Sequence, residues 1–318
     1  MNYRSVAELT NLIRNNISII PNDIDLIVGI PRSGMFVANY IALLMNKPMT
    51  DFDGLIEGRI MSSGRTKNTN TNIMKIDECK KILIIDDSVA SGKSMDDCKK
   101  RLAQYNIQAK MFFCAIYVLP LSKNRVDMYF EVLDAPRLFE WNIFHQPAFL
   151  RNACFDIDGV LCNDPTFDEN DDGVKYEHFI QNAKVKFQPN GIIGCLVTSR
   201  LEKYRNLTED WLKKNGIQYA KLVMLNATYD ERKRNNLHSI FKANYYKNSD
   251  KLLFVESEQR QAIEINNLTG KPVYCLENNT LYKGNYIYNI KYEAGLRFRS
   301  YFRRFRLARI IYYKILHR

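Results

Sequence analysis

A chain of 318 residues is long enough for two domains of ordinary size. Its hydrophobic content of 46% and charged content of 25% are those of a soluble globular protein. No uninterrupted apolar stretch approaches the roughly 18 residues that a membrane-spanning helix needs. The net charge of +11 is uneven: residues 291–318 carry nine Lys and Arg against one acid, while the rest carries 37 basic and 34 acidic residues. A nearly neutral body argues against a nucleic-acid-binding core.

The cysteines and the first residues indicate the compartment. Seven cysteines occur singly, without a CxxC pair or an even framework, so we expect buried thiols in a reducing environment. The first sixteen residues are amphipathic and lack the apolar core of a signal peptide. A cytoplasmic location is therefore expected.

The N-terminal part alternates helices, strands and turns. Residues 5–20 have helical periodicity, residues 25–30 predict a short buried strand, and residues 31–34 turn the chain into a helix over 35–45. Residues 57–72 are rich in Ser, Thr, Asn, Gly and basic residues without periodicity, which predicts a loop or a hairpin with a mobile tip.

A stretch at 81–94 combines a strand, two acids and a turn. Residues 82–85 predict a strand buried on both faces, Asp86 and Asp87 follow, and small residues lead into a helix that starts at Ser94. A strand that feeds a helix N-terminus through a tight turn leaves free backbone N–H groups, which favour an anion such as phosphate. A Walker motif is excluded, because Asp87 occupies the position of its first glycine.

Type I phosphoribosyltransferases have the same order of strand, acid pair, phosphate loop and helix, and a Gly-x-Pro-Arg-x-Gly turn like residues 29–34; the chain resembles them in both. The resemblance implies that the acid pair holds the ribose of phosphoribosyl pyrophosphate (PRPP) and stabilises its cationic transition state, with Mg²⁺ on the pyrophosphate. It implies PRPP contacts from Arg32, Ser33, Gly34, Asp86, Asp87, Ala90, Ser91, Gly92, Lys93 and Ser94, and from the loop residues Arg59, Arg65 and Lys67. Solvated acids after an ordinary strand, and a plain solvated basic loop, are the alternatives.

Residues 111–118 predict a further buried strand, and residues 138–146 carry Trp141 and His145. In the family that the chain resembles, a variable hood contacts the acceptor. Trp141 could stack on an acceptor ring there, although a buried core tryptophan is the favoured interpretation.

A second strand ending in carboxylates begins near residue 151. Asp156 and Asp158 have the D-x-D-G spacing, and the sequence here resembles haloacid-dehalogenase-type (HAD) phosphatases. Side chains alternate along a strand, so i and i+2 point the same way. The resemblance implies that Asp156 attacks phosphorus, that Asp158 protonates the leaving oxygen and then activates water, and that Mg²⁺ binds between carboxylate and phosphate.

The later HAD motifs follow in order. The strand at 192–197 ends in Thr198 and Ser199, which the resemblance implies for phosphate binding together with Lys242, with Lys247 and Lys251 as rivals for the lysine. Glu256, after a strand at 251–255, stands where the family usually has Asp and is implied as a metal ligand beside the two aspartates at 156 and 158. The short segment between 161 and 192 leaves room for only a minimal cap. A degenerate relative without turnover is the alternative.

Residues 291–318 predict a basic amphipathic helix. Its aromatic and basic residues favour binding to an anionic membrane surface. A helix packed on the protein and an RNA-binding helix are the other interpretations.

Together these features predict an α/β protein with two Rossmann-like three-layer domains, at 1–149 and 150–290, and a tail at 291–318. The chain resembles the phosphoribosyltransferase–phosphatase fusions that install ribofuranose in bacterial surface polysaccharides such as O-antigen and capsule. This implies transfer from PRPP to a lipid-linked glycan acceptor, then loss of the 5-phosphate, at the inner face of the cytoplasmic membrane. It implies no nucleic-acid partner, and a homo-oligomer is compatible with it. Nucleobase salvage and a non-catalytic PRPP sensor are the alternatives.

Overall fold

The computed structural model describes residues 1–61, 75–235 and 237–284. The chain divides into two compact units, Met1–Trp141 and a second that begins at Asn142. The sequence interpretation placed this boundary between residues 149 and 150. Arg65, Lys67 and the predicted tail lie outside the described residues. Within the described part, no helix is both long and apolar enough to cross a bilayer.

The first unit is a parallel α/β sheet with helices. Its helices and strands are β1 (Asn2–Arg4), α1 (Val6–Asn15), β2 (Leu26–Gly29), α2 (Ser33–Met45), β3 (Met49–Asp51), α3 (Phe52–Glu57), β4 (Lys81–Val89), α4 (Lys93–Leu102), β5 (Lys110–Val118), β6 (Met128–Val132) and β7 (Arg137–Phe139). Five strands pair in the order β3-β2-β4-β5-β6, all parallel. β1 and β7 form a separate parallel pair.

Strand β4 lies at the centre of this sheet and is covered on both faces. Leu83 and Ile85 pack into one apolar cluster with residues of α1 and α2, whereas Ile82 and Ile84 pack into a second cluster with residues of α4. All four are fully buried. The alternation of side chains along the strand therefore produces a three-layer arrangement, which confirms the α/β class predicted for this part of the chain.

The strand is longer than its sequence indicated. β4 continues through Asp86 and Asp87 to Val89, because these residues pair with β5 through Val118. The predicted turn at 88–94 is correspondingly reduced to residues 90–92. Helix α1 ends at Asn15, before the predicted residue 20, and a 3₁₀ turn (Ile17–Ile19) follows.

The second unit contains another sheet of mixed α/β type. Its elements are α5 (Pro147–Arg151), β8 (Ala153–Phe155), α6 (Val174–Asn182), β9 (Cys195–Leu201), α7 (Arg205–Lys214), β10 (Leu222–Leu225), α8 (Tyr229–Arg234), α9 (Leu237–Lys247), β11 (Leu253–Glu256), α10 (Gln259–Thr269), β12 (Val273–Cys275) and β13 (Thr280–Tyr282). The strand order is β10-β9-β8-β11-β12-β13, parallel except for the last, antiparallel strand.

In both sheets the order in which the chain adds its parallel strands reverses next to a central strand. In the first unit it passes from β2 to β3 on one side and then to β4 on the other; in the second it passes from β8 through β9 to β10 and then to β11. Such reversals leave a crevice at the carboxyl ends of the two strands that flank it, where open α/β sheets bind ligands. Asp86 and Asp87 lie near the carboxyl end of β4, at one crevice, and Asp156 and Glu256 lie at the other.

Gly34 lets α2 approach the carboxyl end of β4. A Cβ atom at this position would lie 2.8 Å from Ile85 O and 3.0 Å from Asp86 Oδ1. We expect Gly34→Ala to lower the free energy of unfolding by about 1–3 kcal/mol, because a backbone atom must move. Urea titration followed by circular dichroism measures this loss. Gly173→Ala is the control, because its nearest neighbours are 3.4 Å away, in a side chain; equal losses in both variants would contradict the prediction.

Candidate active sites

The turn after β2 brings the N-terminus of α2 close to the acid pair, Asp86 and Asp87. The Pro31–Arg32 peptide bond is cis, and α2 begins directly after it at Ser33. Ile30 N–H donates to Ile85 O at 2.9 Å, which fixes the turn to β4. Arg32 is exposed. The turn thus presents the start of a helix and an exposed guanidinium at the same sheet edge.

Asp87 is held by two side-chain donors. Ser33 Oγ donates to Asp87 Oδ1 at 2.9 Å, and Trp141 Nε1 donates to Asp87 Oδ2 at 2.6 Å. Trp141 also stacks on Phe139, with ring centroids 4.9 Å apart. Asp87 is only 3% exposed, so these contacts fix its carboxylate. Trp141 therefore packs against the core while it also contacts the candidate site.

The surroundings of Asp86 disfavour a charged carboxylate, whereas those of Asp87 hold one in place. Burial, followed by the nearby charge of Asp87, raises the pKa of Asp86 from 3.8 to about 8. Its Oδ1 accepts the Asp87 N–H at 2.8 Å. Arg137 lies nearby: burial lowers its pKa, against the effect of Asp87, and its Nη1 is buried without a hydrogen-bond partner among the described residues. The acid pair is thus short of counter-charge, as expected of a site that receives hydroxyl groups or a cation with its substrate.

The predicted phosphate loop, here called the phosphate turn, connects β4 to α4. Ala90, Ser91, Lys93 and Ser94 are exposed, and the Ser122 hydroxyl donates to Ala90 O. Gly92 has φ +80 and precedes α4. This left-handed conformation favours glycine and turns the chain into the helix. The structure thus brings the predicted PRPP residues of the two turns to one sheet edge.

The candidate loop residues are only partly described. Arg59 is exposed and donates to Asp51 Oδ1 at 3.0 Å, at the end of β3. Its position beside β3 is compatible with the predicted contact, although its present partner is a carboxylate. Arg65 and Lys67 stay predictions. His145 is exposed and belongs to the second unit.

The second candidate site is centred on a buried lysine. Lys242 Nζ donates to Asp156 Oδ2 at 2.5 Å, to Glu256 Oε2 at 2.8 Å and to Gln261 Oε1 at 2.9 Å. The lysine is 1% exposed, and the two acids are 5% and 0% exposed. Among the three predicted candidates for the motif lysine, only Lys242 is placed in this way: Lys247 is exposed and Lys251 pairs with Asp250.

Burial and charge oppose each other within this cluster. Burial raises the pKa of Asp156 to about 7, against the lowering effect of Lys242. Burial alone would lower the pKa of Lys242, but Asp156 and Glu256 raise it instead. Lys242 is therefore a permanent cation, and Asp156 becomes a carboxylate close to neutral pH. A carboxylate of this kind can act as a nucleophile.

Asp158 is bound by a different cation. Strand β8 ends at Phe155, so the prediction that Asp156 and Asp158 lie on one strand, with their side chains pointing the same way, is wrong in placing them on the strand. Arg200 Nη2 donates to Asp158 Oδ1 at 2.6 Å, and Arg200 Nε donates to Oδ2 at 3.1 Å. Arg200 is 1% exposed. The guanidinium thus binds the Asp158 carboxylate in a bidentate manner, away from Lys242.

The predicted phosphate-binding hydroxyls lie on β9, next to β8. Thr198 is buried, and its Oγ1 accepts the Arg200 N–H at 3.3 Å. Ser199 Oγ lies 3.3 Å from His238 Nδ1. Strand β9 pairs with β8, which places Thr198 and Ser199 at the sheet edge that also carries Asp156.

A metal ion fits only part of the predicted ligand set. Within the described ranges, no three His, Cys, Asp or Glu side chains are placed to hold one ion. All three predicted ligands, Asp156, Asp158 and Glu256, are already paired with a cation: Arg200 binds Asp158, and Lys242 binds Asp156 and Glu256. Asp156 and Glu256 converge on one point and would hold Mg²⁺, completed by water and substrate phosphate, only where Lys242 gives up a hydrogen bond to them.

The comparisons with known proteins match part of the chain. Residues 2–150 match the family model of the phosphoribosyl transferase domain. No curated protein matches the sequence. The structure is similar to a Helicobacter pylori xanthine-guanine-hypoxanthine phosphoribosyltransferase, with 17% identity, a TM-score of 0.32, and coverage of 45% of this chain and 92% of that one.

Two further solved structures are similar to part of the chain. A purine phosphoribosyltransferase from Pyrococcus horikoshii has 14% identity and a TM-score of 0.33 and covers 44% of this chain and 92% of its own. An orotate phosphoribosyltransferase from Aeropyrum pernix has 13% identity and a TM-score of 0.27 and covers 40% of this chain and 71% of its own.

Several functional contacts were missed by the sequence analysis. Arg200 directly follows Thr198 and Ser199, yet nothing in its position signalled a bond to Asp158. Arg137 and the bond from Trp141 to Asp87 were missed as well. In each case the partner is more than forty residues away along the chain, so no local pattern links the two.

The raised pKa of Asp86 predicts a pH-dependent stability. Between pH 3.8 and about 8 the folded unit holds a proton that the unfolded chain has lost, so stability falls as pH rises through this window. We expect Asp86→Asn to reduce this fall by about 1.4 kcal/mol for each pH unit, leaving the part below pH 7 that the raised pKa of Asp156 contributes. Urea unfolding at pH 5, 7 and 9 without ligand or metal measures it. Asp97→Asn, an exposed acid on α4, should keep the wild-type slope; an unchanged slope in Asp86→Asn would contradict the assignment.

Removal of the buried lysine tests the second cluster. Lys242→Met leaves Asp156 and Glu256 buried without their cation, and we expect a loss of about 3–5 kcal/mol in the free energy of unfolding at pH 8. Lys247→Met, on the same helix but exposed, should change stability by less than about 0.5 kcal/mol. Equal effects of the two substitutions would show that the cluster does not depend on Lys242.

Proposed function

We propose that the chain is a bifunctional enzyme that transfers 5-phosphoribose from PRPP to a glycan acceptor and then removes the 5-phosphate. The observation that carries the first step is the acid pair between two phosphate turns in a segment that matches the phosphoribosyl transferase domain. The observation that supports the second step is the cluster of Asp156, Glu256 and Lys242 at the crevice of the other sheet.

In the transfer step the C1–pyrophosphate bond breaks with its electron pair on pyrophosphate, and the ribose becomes oxocarbenium-like. Asp87, which Ser33 and Trp141 orient, and Asp86 hold the ribose hydroxyls and stabilise the developing positive charge. The turn at residues 31–34 and the phosphate turn bind the two ends of PRPP. Attack from the face opposite the leaving group converts α-linked PRPP into a β-ribofuranoside 5-phosphate.

In the hydrolysis step an Asp156 oxygen forms a bond to phosphorus while the bond to the sugar 5-oxygen breaks. That oxygen takes a proton, and water then cleaves the aspartyl-phosphate to phosphate and free Asp156. Lys242 keeps the Asp156 carboxylate aligned, with its three N–H groups on Asp156, Glu256 and Gln261, and the hydroxyl groups of Thr198 and Ser199 are the donors proposed for the phosphate oxygens. Mg²⁺ bound by Asp156 and Glu256 would screen the charge between carboxylate and phosphate.

The acceptor assignment rests on the sequence. An open site with a minimal cap suits a phosphate carried on a large molecule. The basic, aromatic tail at 291–318 suits an anionic membrane surface and a lipid-linked glycan at the cytoplasmic face. Installation of ribofuranose in bacterial surface polysaccharide follows as the proposed role. A homo-oligomer is compatible with this role.

The proposal is tested with the full chain, PRPP, Mg²⁺ and an extract of lipid-linked glycan, with separate assays for pyrophosphate and phosphate. We expect glycan-dependent release of both. Asp156→Asn should abolish phosphate release and retain pyrophosphate release, whereas Asp87→Asn should lower pyrophosphate release by about 10²–10³-fold.

Asp97→Asn is the matched control for the transfer step and should behave as wild type. Pyrophosphate release that depends on a nucleobase instead of a glycan would favour nucleobase salvage followed by nucleotide dephosphorylation. Tight PRPP binding without any product would favour the non-catalytic PRPP sensor and would contradict the proposed activity.

A further inference from the structure

A cavity of about 480 Å³ opens in the second unit. This volume lies within the range of small-molecule sites. Its wall combines two aromatic rings, one of which, Phe167, is 98% exposed, with a set of basic side chains. The residues on which the argument depends are Phe167, Lys175, Tyr229, Arg232, Lys233 and His238.

The cavity adjoins the Lys242 cluster. His238 lines the cavity and precedes Lys242 by four residues on α9, so both occupy one helix face about 6 Å apart along the axis. His238 Nδ1 also lies 3.3 Å from Ser199 Oγ, at the end of the sheet that carries Asp156. A phosphate ester bound at Asp156 would therefore have the cavity beside its remaining part.

Arg232 is a buried cation without a carboxylate partner. It is 5% exposed, its Nη1 donates to Ser199 O at 3.1 Å, and its guanidinium lies 5.3 Å from the Tyr229 ring centre. Over residues 1–61, 75–235 and 237–284, no acidic side chain forms an ion pair with it. Burial of an unpaired charge is costly, so the guanidinium suits an anion that arrives in the cavity.

Two acids and three basic side chains line the cavity. Asp168 pairs with Lys175, also in the wall, at 3.5 Å. Asp171 accepts the N–H groups of Gly173 at 2.9 Å and Tyr176 at 3.0 Å, which hold its carboxylate at the start of α6. Lys233 is exposed and lies 5.9 Å from the Tyr229 ring centre. The three basic side chains outnumber the two acids, so the net charge of the lining is positive, and Arg232 and Lys233 are the cations not paired with an acid there.

We propose that this cavity binds a second anionic group, a phosphate or a carboxylate, of the molecule whose phosphate the second unit hydrolyses. The inference rests on the proposed phosphatase step and deepens it: the substrate carries an anion beyond the scissile phosphate, against Arg232 and Lys233, with its intervening part along Phe167 and Tyr229. A diphosphate link to a lipid carrier and an acidic sugar share this chemistry.

Matched aryl phosphates test the second anion. The full chain is assayed for phosphate release from 4-carboxyphenyl, 4-phosphonophenyl and 4-carbamoylphenyl phosphate, of which the last is the uncharged analogue. We expect kcat/KM to favour the carboxy or the phosphono ester over the carbamoyl ester by about 10-fold or more, mainly through KM. The ester that gains more identifies the second anion as carboxylate or phosphate.

Substitutions on α8 assign the preference to Arg232. Arg232→Gln should remove the preference, and Arg232→Lys should retain part of it. Arg234→Gln removes an exposed charge from the same helix, outside the cavity, and should retain it fully. Absence of a preference in the wild type, or its persistence in Arg232→Gln, would overturn the proposed site.

Failure of the phosphatase proposal is distinguishable from failure of this one. If none of the three esters is hydrolysed, the proposed phosphatase activity fails. Calorimetric titration with 4-carboxybenzylphosphonate and its carbamoyl analogue then decides the site: tighter binding of the carboxylate that Arg232→Gln abolishes supports it, and equal binding overturns it.

Discussion

Both candidate sites depend on one constraint: the order of the parallel strands reverses beside a central strand. Parallel strands bring their carboxyl ends to one edge, and the reversal leaves the loops there free to diverge. In the first unit this gap receives the turn of Gly34, whose missing side chain lets α2 approach β4. In the second it receives Asp156, which follows β8, and Glu256, which ends the neighbouring strand β11; both accept hydrogen bonds from one nitrogen, Lys242 Nζ.

The two acid clusters solve the burial of negative charge in different ways. Asp156 and Glu256 share an internal cation, Lys242, which holds both carboxylates in place before a ligand binds. Asp86 and Asp87 have hydrogen-bond donors but lack an ion-pair partner among the described residues, and the pKa of Asp86 is raised in consequence of burial and of Asp87. The cluster of Asp156 and Glu256 is thus preorganised, whereas the pair of Asp86 and Asp87 gains counter-charge only when substrate and its cation bind.

Local pattern was sufficient for elements whose code lies within a few residues. The buried strand at 82–85, the turn at 31–34 and the lysine of α9 could be predicted, because apolar periodicity and motif spacing are local. Strand ends were less predictable: β4 extends to Val89 because β5 pairs with it, and β8 stops at Phe155. Contacts between distant segments, such as Arg200 with Asp158, had no local signal, and neither did β12 and β13.

The pairing of Asp158 limits the part it can take in hydrolysis. A guanidinium binds the ionised carboxylate, and Arg200 is buried, so the ion pair is not weakened by water. Both Asp158 oxygens accept N–H groups from Arg200. A proton transfer between Asp158 and the leaving oxygen or a water molecule in the proposed reaction requires Asp158 to reach that atom, and therefore at least one of these hydrogen bonds to break. The proposed hydrolysis thus couples substrate binding to a change in the pairing of Asp158 with Arg200.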